Sequence, residues 1–214
     1  AELKAMSVPV PDVLITRGGT QIHYGPRLTR DEGWSRHIAH GWQADRVFNL
    51  LAETPGLKLK PRSAQGVLAI HAFIDEPDVF PGMESLKQQL LELDIHSNII
   101  ELNRAEILAV PVRASKGYAL RYFAAQWGID LDRILAVGGE KTDEDMLRGN
   151  PLGAIVLPEG GDNLPGMDRL DRVLVTREHG LAGVFEAIEY YDFFGRCALP
   201  VEHAADGHDK EVEK

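Results

Sequence analysis

A lysine at the predicted start of a helix is the first residue whose surroundings suggest chemistry. Lys116 follows Ser115 and precedes Gly117 in the segment ASKGYALRYFAAQWGI. A lysine in this place adds a mobile cation to the positive end of the helix dipole, and both attract a phosphate group. The alternative is a solvated lysine beside a helix cap, the commoner situation for a single lysine. The glycine loop that follows the helix favours the phosphate interpretation.

Two adjacent glycines mark a turn that could approach the same kind of ligand. Gly18 and Gly19 stand between Arg17 and Thr20, where a buried-strand pattern breaks before alternation resumes. Glycine permits tight backbone geometry, and the N–H groups of such a turn can approach a phosphorylated molecule. Gly18, Gly19 and Thr20 are therefore candidate ligand-binding residues. A plain turn without a ligand is the alternative.

The elements that must position these residues alternate between strands and helices in the second half of the chain. The pattern predicts a helix over 116–127, strands over 133–137, 153–157 and 172–176, and helices over 143–148 and 180–191. Strands that alternate with helices indicate βα units on a parallel sheet. The first half has consecutive strands and therefore reads as an α+β insertion. Its predicted elements are strands within 12–24, 66–74, 96–102 and 106–112 and helices within 42–53 and 85–93.

The composition limits the classes of function. The chain has 214 residues, which suffice for one core and a modest second lobe. Its formal charge of -10 argues against nonspecific binding to nucleic acid or to an anionic membrane, so any phosphate site must be a local basic or backbone-amide pocket. No apolar run approaches the length of a membrane span. The single cysteine, Cys197, excludes an intramolecular disulfide and fits a cytoplasmic location.

The segment from residue 112 to residue 157 resembles the third and fourth motifs of the haloacid-dehalogenase superfamily, in the subclass with a large α/β cap. The order that carries the resemblance is a lysine and a glycine, a helix, an apolar strand, a glycine loop and acidic residues. PDVLITRGGTQIHYG and AIEYYDFFG are similar to sucrose-phosphate phosphatase and to the phosphatase-like carboxyl-terminal domain of sucrose-phosphate synthase. ASKGYALRYFAAQWGI and DEDMLRGN favour the bacterial synthase version. The resemblance covers roughly residues 8–200.

The resemblance implies an α/β fold: a truncated Rossmann-like core, with a parallel sheet flanked by helices, and an inserted α+β cap. It places the end of the N-terminal core part in residues 1–25, the cap in 26–110 and the C-terminal half of the core in 111–200. Residues 201–214 are polar and read as a disordered tail. In the family, an Asp-x-Asp motif and then a Thr or Ser follow the first core strands. We expect both motifs upstream of Ala1.

Enzymes of this superfamily transfer phosphate with an attacking aspartate, a second aspartate that protonates the leaving oxygen, a lysine and Mg²⁺. The resemblance gives Lys116 the role of the lysine that stabilises the transferring group. Arg113 matches an arginine of the family segment and is expected to help hold the substrate. A surface ion pair explains Arg113 nearly as well.

The fourth motif departs from the family pattern. Phosphatases carry Gly-Asp-x-x-Asn-Asp there, and the first aspartate binds Mg²⁺ because a hard cation prefers carboxylate oxygen. Gly139 stands at that position in this chain and supplies no ligand. Asp143 matches the second aspartate, and Glu140 is a substitute ligand with a longer arm, so these two are the expected metal ligands. The alternative is that Asp143 and Asp145 only cap the next helix.

Two further positions depart from the pattern of phosphatases that bind sucrose. Those enzymes present a lysine where this chain has Ala69, and they carry an aspartate shortly before the third motif where this chain has Leu108. Both departures remove polar groups that the resemblance assigns to sugar recognition.

Two hypotheses on function follow from the resemblance. In the first, the chain is the phosphatase-like part of a sucrose-phosphate synthase, linked to an upstream glycosyltransferase domain, and has no phosphatase activity of its own. In the alternative, it is a fragment of a magnesium-dependent phosphatase that hydrolyses sucrose 6-phosphate, or another sugar phosphate, with an upstream aspartate nucleophile. The residues at positions 139, 69 and 108 favour the first hypothesis. We expect no nucleic-acid or membrane partner.

Overall fold

The computed structural model describes residues 9–102, 105–158, 160, 170 and 172–197. The predicted tail over 201–214 lies outside these residues, as do the first eight residues of the predicted N-terminal core part. Within the described part, none of the helices has the length and apolar character needed to span a membrane.

The glycine turn joins the first two strands of a small antiparallel sheet. The strands are β1 (Val13–Thr16), β2 (Gln21–Tyr24) and β3 (Thr29–Arg30). Three successive residues between β1 and β2 have positive φ angles, namely Arg17 at 52°, Gly18 at 62° and Gly19 at 87°. Glycine adopts such angles without penalty, which explains why the strand pattern breaks at this pair. The indole Nε1 of Trp34 donates to the Gly19 carbonyl at 2.9 Å and closes the turn from inside the protein.

A four-stranded antiparallel sheet occupies the middle of the chain. Its strands, in spatial order, are β4 (Leu57–Leu59), β5 (Ile70–Ile74), β7 (Glu106–Pro111) and β6 (Ser97–Leu102). The helices that accompany it are α1 (Glu32–Ala39), α2 (Ala44–Glu53) and α3 (Met83–Glu92). Ile107 and Ala109 pack with buried residues of α2 and α3, whereas Leu108 and Val110 pack with those of β2 and α1. Strand β7 is therefore apolar on both faces because both faces are covered.

A three-stranded parallel sheet lies in the second half of the chain. Its strands, in spatial order, are β10 (Val173–Val175), β9 (Leu152–Ile155) and β8 (Leu135–Gly138). The helices of this half are α4 (Lys116–Trp127), α5 (Glu144–Leu147), α6 (Gly180–Tyr190) and α7 (Phe193–Cys197). Helix α4 begins where the Ser115 side chain accepts a hydrogen bond from the Tyr118 N–H and ends at Gly128 in the left-handed conformation. The predicted parallel sheet is confirmed, and helix α5 lies on the connection between β8 and β9.

Several predicted boundaries differ from the structure, and for three of them the local structure shows the cause. The strand predicted over 66–74 begins only at Ile70, because Gly66 and Ala69 form an isolated bridge first. The strand predicted over 133–137 begins at Leu135, after a 3₁₀ turn over Leu131–Arg133. The helix predicted over 143–148 is shortened to α5, because the 3₁₀ turn Lys141–Asp143 precedes it. The division of the chain at residues 25/26 and 110/111 stays a prediction.

The glycine turn touches the connection between the four-stranded sheet and the parallel half. A Cβ atom added to Gly19 would lie closer than 3.0 Å to the carbonyl oxygen of Ser115, so the two backbones are in direct contact. On the same connection, the carbonyls of Val112 and Ala114 accept hydrogen bonds from the Asn98 side-chain amide, at 3.1 and 3.3 Å. The segment that leads into α4 is therefore held by the glycine turn and by β6.

Gly19→Ala should destabilise the protein strongly. The added Cβ would overlap the Ser115 carbonyl, and the φ angle of 87° disfavours any side chain. We expect the free energy of unfolding to fall by about 3 kcal/mol or more, measured by urea denaturation. Gly25→Ala is the matched control, because Gly25 has a φ of 64° but its added Cβ would meet nothing within 4 Å. It should cost about 1 kcal/mol, and equal losses would contradict the close contact.

Candidate active site

Lys116 and Asp143 meet at the carboxyl end of β8. Lys116 is the first residue of α4, and Asp143 ends the 3₁₀ turn that follows β8. The Lys116 Nζ lies 2.6 Å from the Asp143 Oδ1 and also donates to the Thr142 Oγ1 at 3.0 Å. The Asp143 side chain is 11% exposed and the Lys116 side chain 33%. The two residues that were predicted from separate motifs therefore form one partly buried ion pair.

The second oxygen of Asp143 organises the glycine loop. Its Oδ2 accepts from the backbone N–H groups of Gly139 and Glu140, each at 3.0 Å. The Glu140 Oε2 in turn accepts from the Thr142 hydroxyl at 3.1 Å. Asp143 thus caps the 3₁₀ turn, and its side chain makes no capping bond to α5.

Asp145 contacts helix α4, whereas the sequence suggested only a capping role on the helix that follows the loop. Its Oδ2 accepts from the Gly117 N–H in the first turn of α4, at 2.8 Å. A Cβ at Gly117 would lie closer than 3.0 Å to the Asp145 carbonyl, and Arg121 donates to that carbonyl from the same helix. Sequence reasoning missed this docking of α5 on α4. The glycine that follows Lys116 was its available signal.

Lys116 separates two cavities. One, of about 230 Å³, is lined by the glycine turn and by residues of α4 and α5; we call it the glycine-turn cavity. Its lining residues are Ile15, Thr16, Arg17, Gly18, Gly19, Lys116, Leu120 and Met146. The other, of about 550 Å³, lies beside β8 and the start of α6 and includes Gly139, Glu140 and Asp143 in its lining; we call it the loop cavity. A ligand in either cavity would face the Lys116 amine.

The remaining predicted ligand residues differ in whether they line one of the two cavities. Gly18 and Gly19 line the glycine-turn cavity together with Lys116. Thr20 is 1% exposed, and its hydroxyl donates to the Arg17 carbonyl at 2.9 Å, inside the turn. Arg113 is exposed and belongs to the described lining of neither cavity. The binding roles given to these residues stay predictions. Arg17, which was not singled out as a ligand, lines the glycine-turn cavity.

The loop does not offer the donor set of a magnesium site in this arrangement. A Cβ at Gly139 would lie closer than 3.0 Å to the Val156 carbonyl oxygen, so position 139 has no room for a ligand side chain. Both oxygens of Asp143 already accept hydrogen bonds. Among the described residues, no group of three or more His, Cys, Asp or Glu side chains is placed to hold a metal ion. Asp143 and Glu140 stay predicted metal ligands whose oxygens have protein partners.

The two positions that depart from the sucrose-binding pattern lie in the apolar core. Ala69 and Leu108 are each 1% exposed and belong to one cluster with Ile22 and Trp34. A Cβ at Gly18 would come within 3.1 Å of the Leu108 side chain, so this cluster directly underlies the glycine turn. Apolar packing supports the turn from the side of the four-stranded sheet.

A histidine on β5 is also close to the turn. The Nδ1 atom of His71 is buried and has no hydrogen-bond partner among the described residues, and the Glu106 Oε2 lies 3.8 Å away. Burial is the largest cause that lowers the pKa of His71, followed by the positive charges of Lys60 and Arg17. The positive charge of Arg17 therefore acts on the four-stranded sheet as well as on the glycine-turn cavity.

Most of the chain matches a known protein family. A family model described as sucrose-6F-phosphate phosphohydrolase matches residues 1–192.

The chain belongs to the sucrose-6F-phosphate phosphohydrolase family. Rice (Oryza sativa subsp. japonica) "Probable sucrose-phosphate synthase 5" is 30% identical over an alignment of 151 residues, and the match covers 64% of this chain and 15% of that protein. Arabidopsis thaliana "Probable sucrose-phosphatase 2" is 27% identical over an alignment of 216 residues, and the match covers 93% of this chain and 51% of that protein. The chain therefore spans about half of the phosphatase and a much smaller part of the synthase.

The solved structure of a Synechocystis sucrose-phosphatase, in complex with sucrose and phosphate, has a similar fold. Its TM-score is 0.77 at 21% sequence identity, and the match covers 89% of this chain and 78% of that one. This likeness confirms a Rossmann-like haloacid-dehalogenase core with a cap. The chain is a sucrose-phosphate phosphatase-like domain of that family.

The Lys116–Asp143 pair should show energetic coupling. Lys116→Met and Asp143→Asn each leave the other partner without its counter-charge in a partly buried place, so the double variant should lose less stability than the sum of the two single variants. We expect a coupling of about 1–3 kcal/mol from a double-mutant cycle on urea unfolding. The exposed pair Lys58–Asp75, at 3.9 Å, is the control and should couple by under about 0.5 kcal/mol. Additive losses at Lys116 and Asp143 would refute the pair.

Protonation of His71 should lower stability at acid pH. Because burial and nearby positive charges hold the pKa of His71 below its usual 6.5, the unfolded chain takes up this proton at a higher pH than the folded one. The free energy of unfolding should therefore fall as the pH drops through 6.5 and level off below the folded pKa. Urea unfolding between about pH 7.5 and 5 measures this. His71→Gln should remove this part of the pH dependence, whereas His40→Gln, at an exposed site, should retain it; identical profiles would contradict the assignment.

Proposed function

We propose that this chain is the phosphatase-like domain of a sucrose-phosphate synthase, that it binds sucrose 6-phosphate, and that it has no phosphatase activity of its own. The observation that carries the proposal is the closed backbone at Gly139. The family's metal-binding aspartate cannot occupy this position without a backbone shift, because its Cβ would overlap the Val156 carbonyl. A phosphatase without this ligand lacks the cation that neutralises the transferring phosphate.

Two further observations support the absence of turnover. Lys116 neutralises Asp143 directly, so the carboxylate that matches the motif's second aspartate is engaged by an ammonium group. The positions at which sucrose-binding phosphatases carry a lysine and an aspartate hold the buried apolar residues Ala69 and Leu108. The sugar of a ligand would be recognised by groups other than those of an active phosphatase.

The synthase assignment draws on the relatives. The chain spans 15% of the rice synthase, as a domain attached to a larger enzyme would. In this proposal the attached part is an upstream glycosyltransferase domain that makes sucrose 6-phosphate, and the whole protein is cytoplasmic. The chain's own charge of -10 disfavours a nucleic-acid or membrane partner. Residues 26–110 act as the cap and residues 111–200 as the core half that carries Lys116.

One observation favours the alternative of an active phosphatase. Lys116 and Asp143 meet at 2.6 Å, at the carboxyl end of a parallel strand, where ligands of open α/β sheets bind. With an aspartate nucleophile from an upstream segment, and Glu140 turned inward as a metal ligand, the same pair would belong to a magnesium-dependent hydrolase of sucrose 6-phosphate.

Phosphate release from sucrose 6-phosphate distinguishes these functions. The protein is purified with any residues that precede Ala1 in its gene, and inorganic phosphate is measured with excess Mg²⁺. We expect a rate equal to that of the Lys116→Met variant. Gly139→Asp should not raise the rate, because the new side chain meets the Val156 carbonyl before it reaches the loop cavity. Release well above the Lys116→Met rate would establish the hydrolase instead.

A further inference from the structure

The glycine-turn cavity has a charge opposite to that of the chain as a whole. The protein carries a formal charge of -10, yet Arg17 and Lys116 line this cavity and none of its other described lining residues is acidic. Those others are apolar residues, glycines and a threonine. A cavity that combines two cations with apolar walls suits a ligand with one anionic end and a less polar body.

Arg17 is held in a conformation that costs energy. Its φ angle is 52°, in the left-handed region that a residue with a Cβ enters at a cost of about 1 kcal/mol. The Thr20 N–H and hydroxyl both donate to the Arg17 carbonyl, and the Gly19 N–H donates to the Thr16 carbonyl, so the turn maintains this angle. Glycine would fit the turn better, which points to a use for the arginine side chain.

The Arg17 guanidinium makes no ion pair with any acidic side chain that the structure describes. It extends toward the four-stranded sheet, where its Nη1 would lie 3.1 Å from a Cβ at Gly66. A guanidinium has five N–H donors in a planar arrangement that matches phosphate oxygens. Because no described acidic side chain pairs with Arg17, its donors are available to a ligand.

Lys116 provides the second cation of the glycine-turn cavity. Its ammonium group has three N–H donors, and two of them are used by Asp143 and Thr142. The third can turn toward the glycine-turn cavity, in front of the N-terminal end of α4, which carries the positive end of the helix dipole. The ion pair with Asp143 does not have to break for this donor to bind an anion.

We propose that Arg17 and Lys116 clamp the phosphate of a sugar phosphate in the glycine-turn cavity, and that this binding needs no metal ion. The inference rests on the proposed function for the identity of the ligand and adds the residue and the binding mode. Two guanidinium hydrogen bonds and one ammonium hydrogen bond supply the charge compensation for which phosphatases use Mg²⁺. Arg17 is thus a binding residue that lines the cavity together with Lys116.

Calorimetric titration tests the proposal, with sucrose 6-phosphate and, separately, inorganic phosphate added to the full chain in the presence of EDTA. Arg17→Gly removes the side chain while suiting the φ angle, so it should fold as stably as the parent in thermal unfolding. We expect it to weaken the affinity for both ligands about tenfold to a hundredfold. Arg17→Lys should recover part of the affinity because it restores the charge without the fork.

Arg27→Ala is the matched control, since Arg27 is exposed and lies outside the described lining of both cavities. It should leave both affinities within about twofold. Unchanged affinity in Arg17→Gly, or binding that appears only when Mg²⁺ replaces EDTA, would overturn the proposal. Neither result bears on phosphate release, which tests the proposed function separately. Binding of inorganic phosphate without any gain from the sugar would keep the clamp and reject the sugar phosphate as its ligand.

Discussion

A single carboxylate holds the site together from the inside. Asp143 gives one oxygen to the Lys116 ammonium and the other to two backbone N–H groups, so the lysine, the glycine loop and the start of α4 share one buried anion. Removing that anion would leave a cation and two donors without their acceptor, in a place where water has little access. The same ion pair fixes one residue of both cavities, because Lys116 lines each of them.

This arrangement changes what the loop can do. In a metal-dependent relative, the carboxylates of the fourth motif would need a divalent ion to balance their charge. Here Lys116 balances Asp143, and Asp145 is engaged by the N–H of Gly117. A cation arriving from solvent would have to displace protein donors that are already in place. In the proposed function, the site keeps the arrangement of a phosphate-transfer centre, and its remaining positive charge is available to bind a ligand.

Local patterns predicted helices α2, α3, α4 and α6 well, because their causes lie close in sequence, whereas α1 (Glu32–Ala39) was not predicted. Ser115 is a start signal and Gly128 a stop signal, and helix α4 begins and ends where they predict. The approach of Gly139 to Val156 and of Gly117 to Asp145 could not be predicted in this way. Such contacts depend on how α4, α5 and the strands pack, and a glycine pattern alone does not say which backbone will lie against it. The sequence did not single out Arg17 as a ligand-binding residue. Its positive φ angle, and the lack of an ion-pair partner among the described residues, become apparent only in the structure.

The contact between Gly19 and Ser115 has a mechanical consequence. The chain crosses from the four-stranded sheet to the parallel half at residues 112–115, and the glycine turn lies against this crossing, so a rigid rotation of one half against the other would pivot there. Atoms near a pivot move little, whereas atoms far from it travel along wide arcs. Lys116 follows Ser115 directly and Arg17 lies two residues before Gly19, so their separation would change little during such a rotation. Parts of the sheet remote from the turn would move farther, while the two cations that line the glycine-turn cavity would keep their spacing.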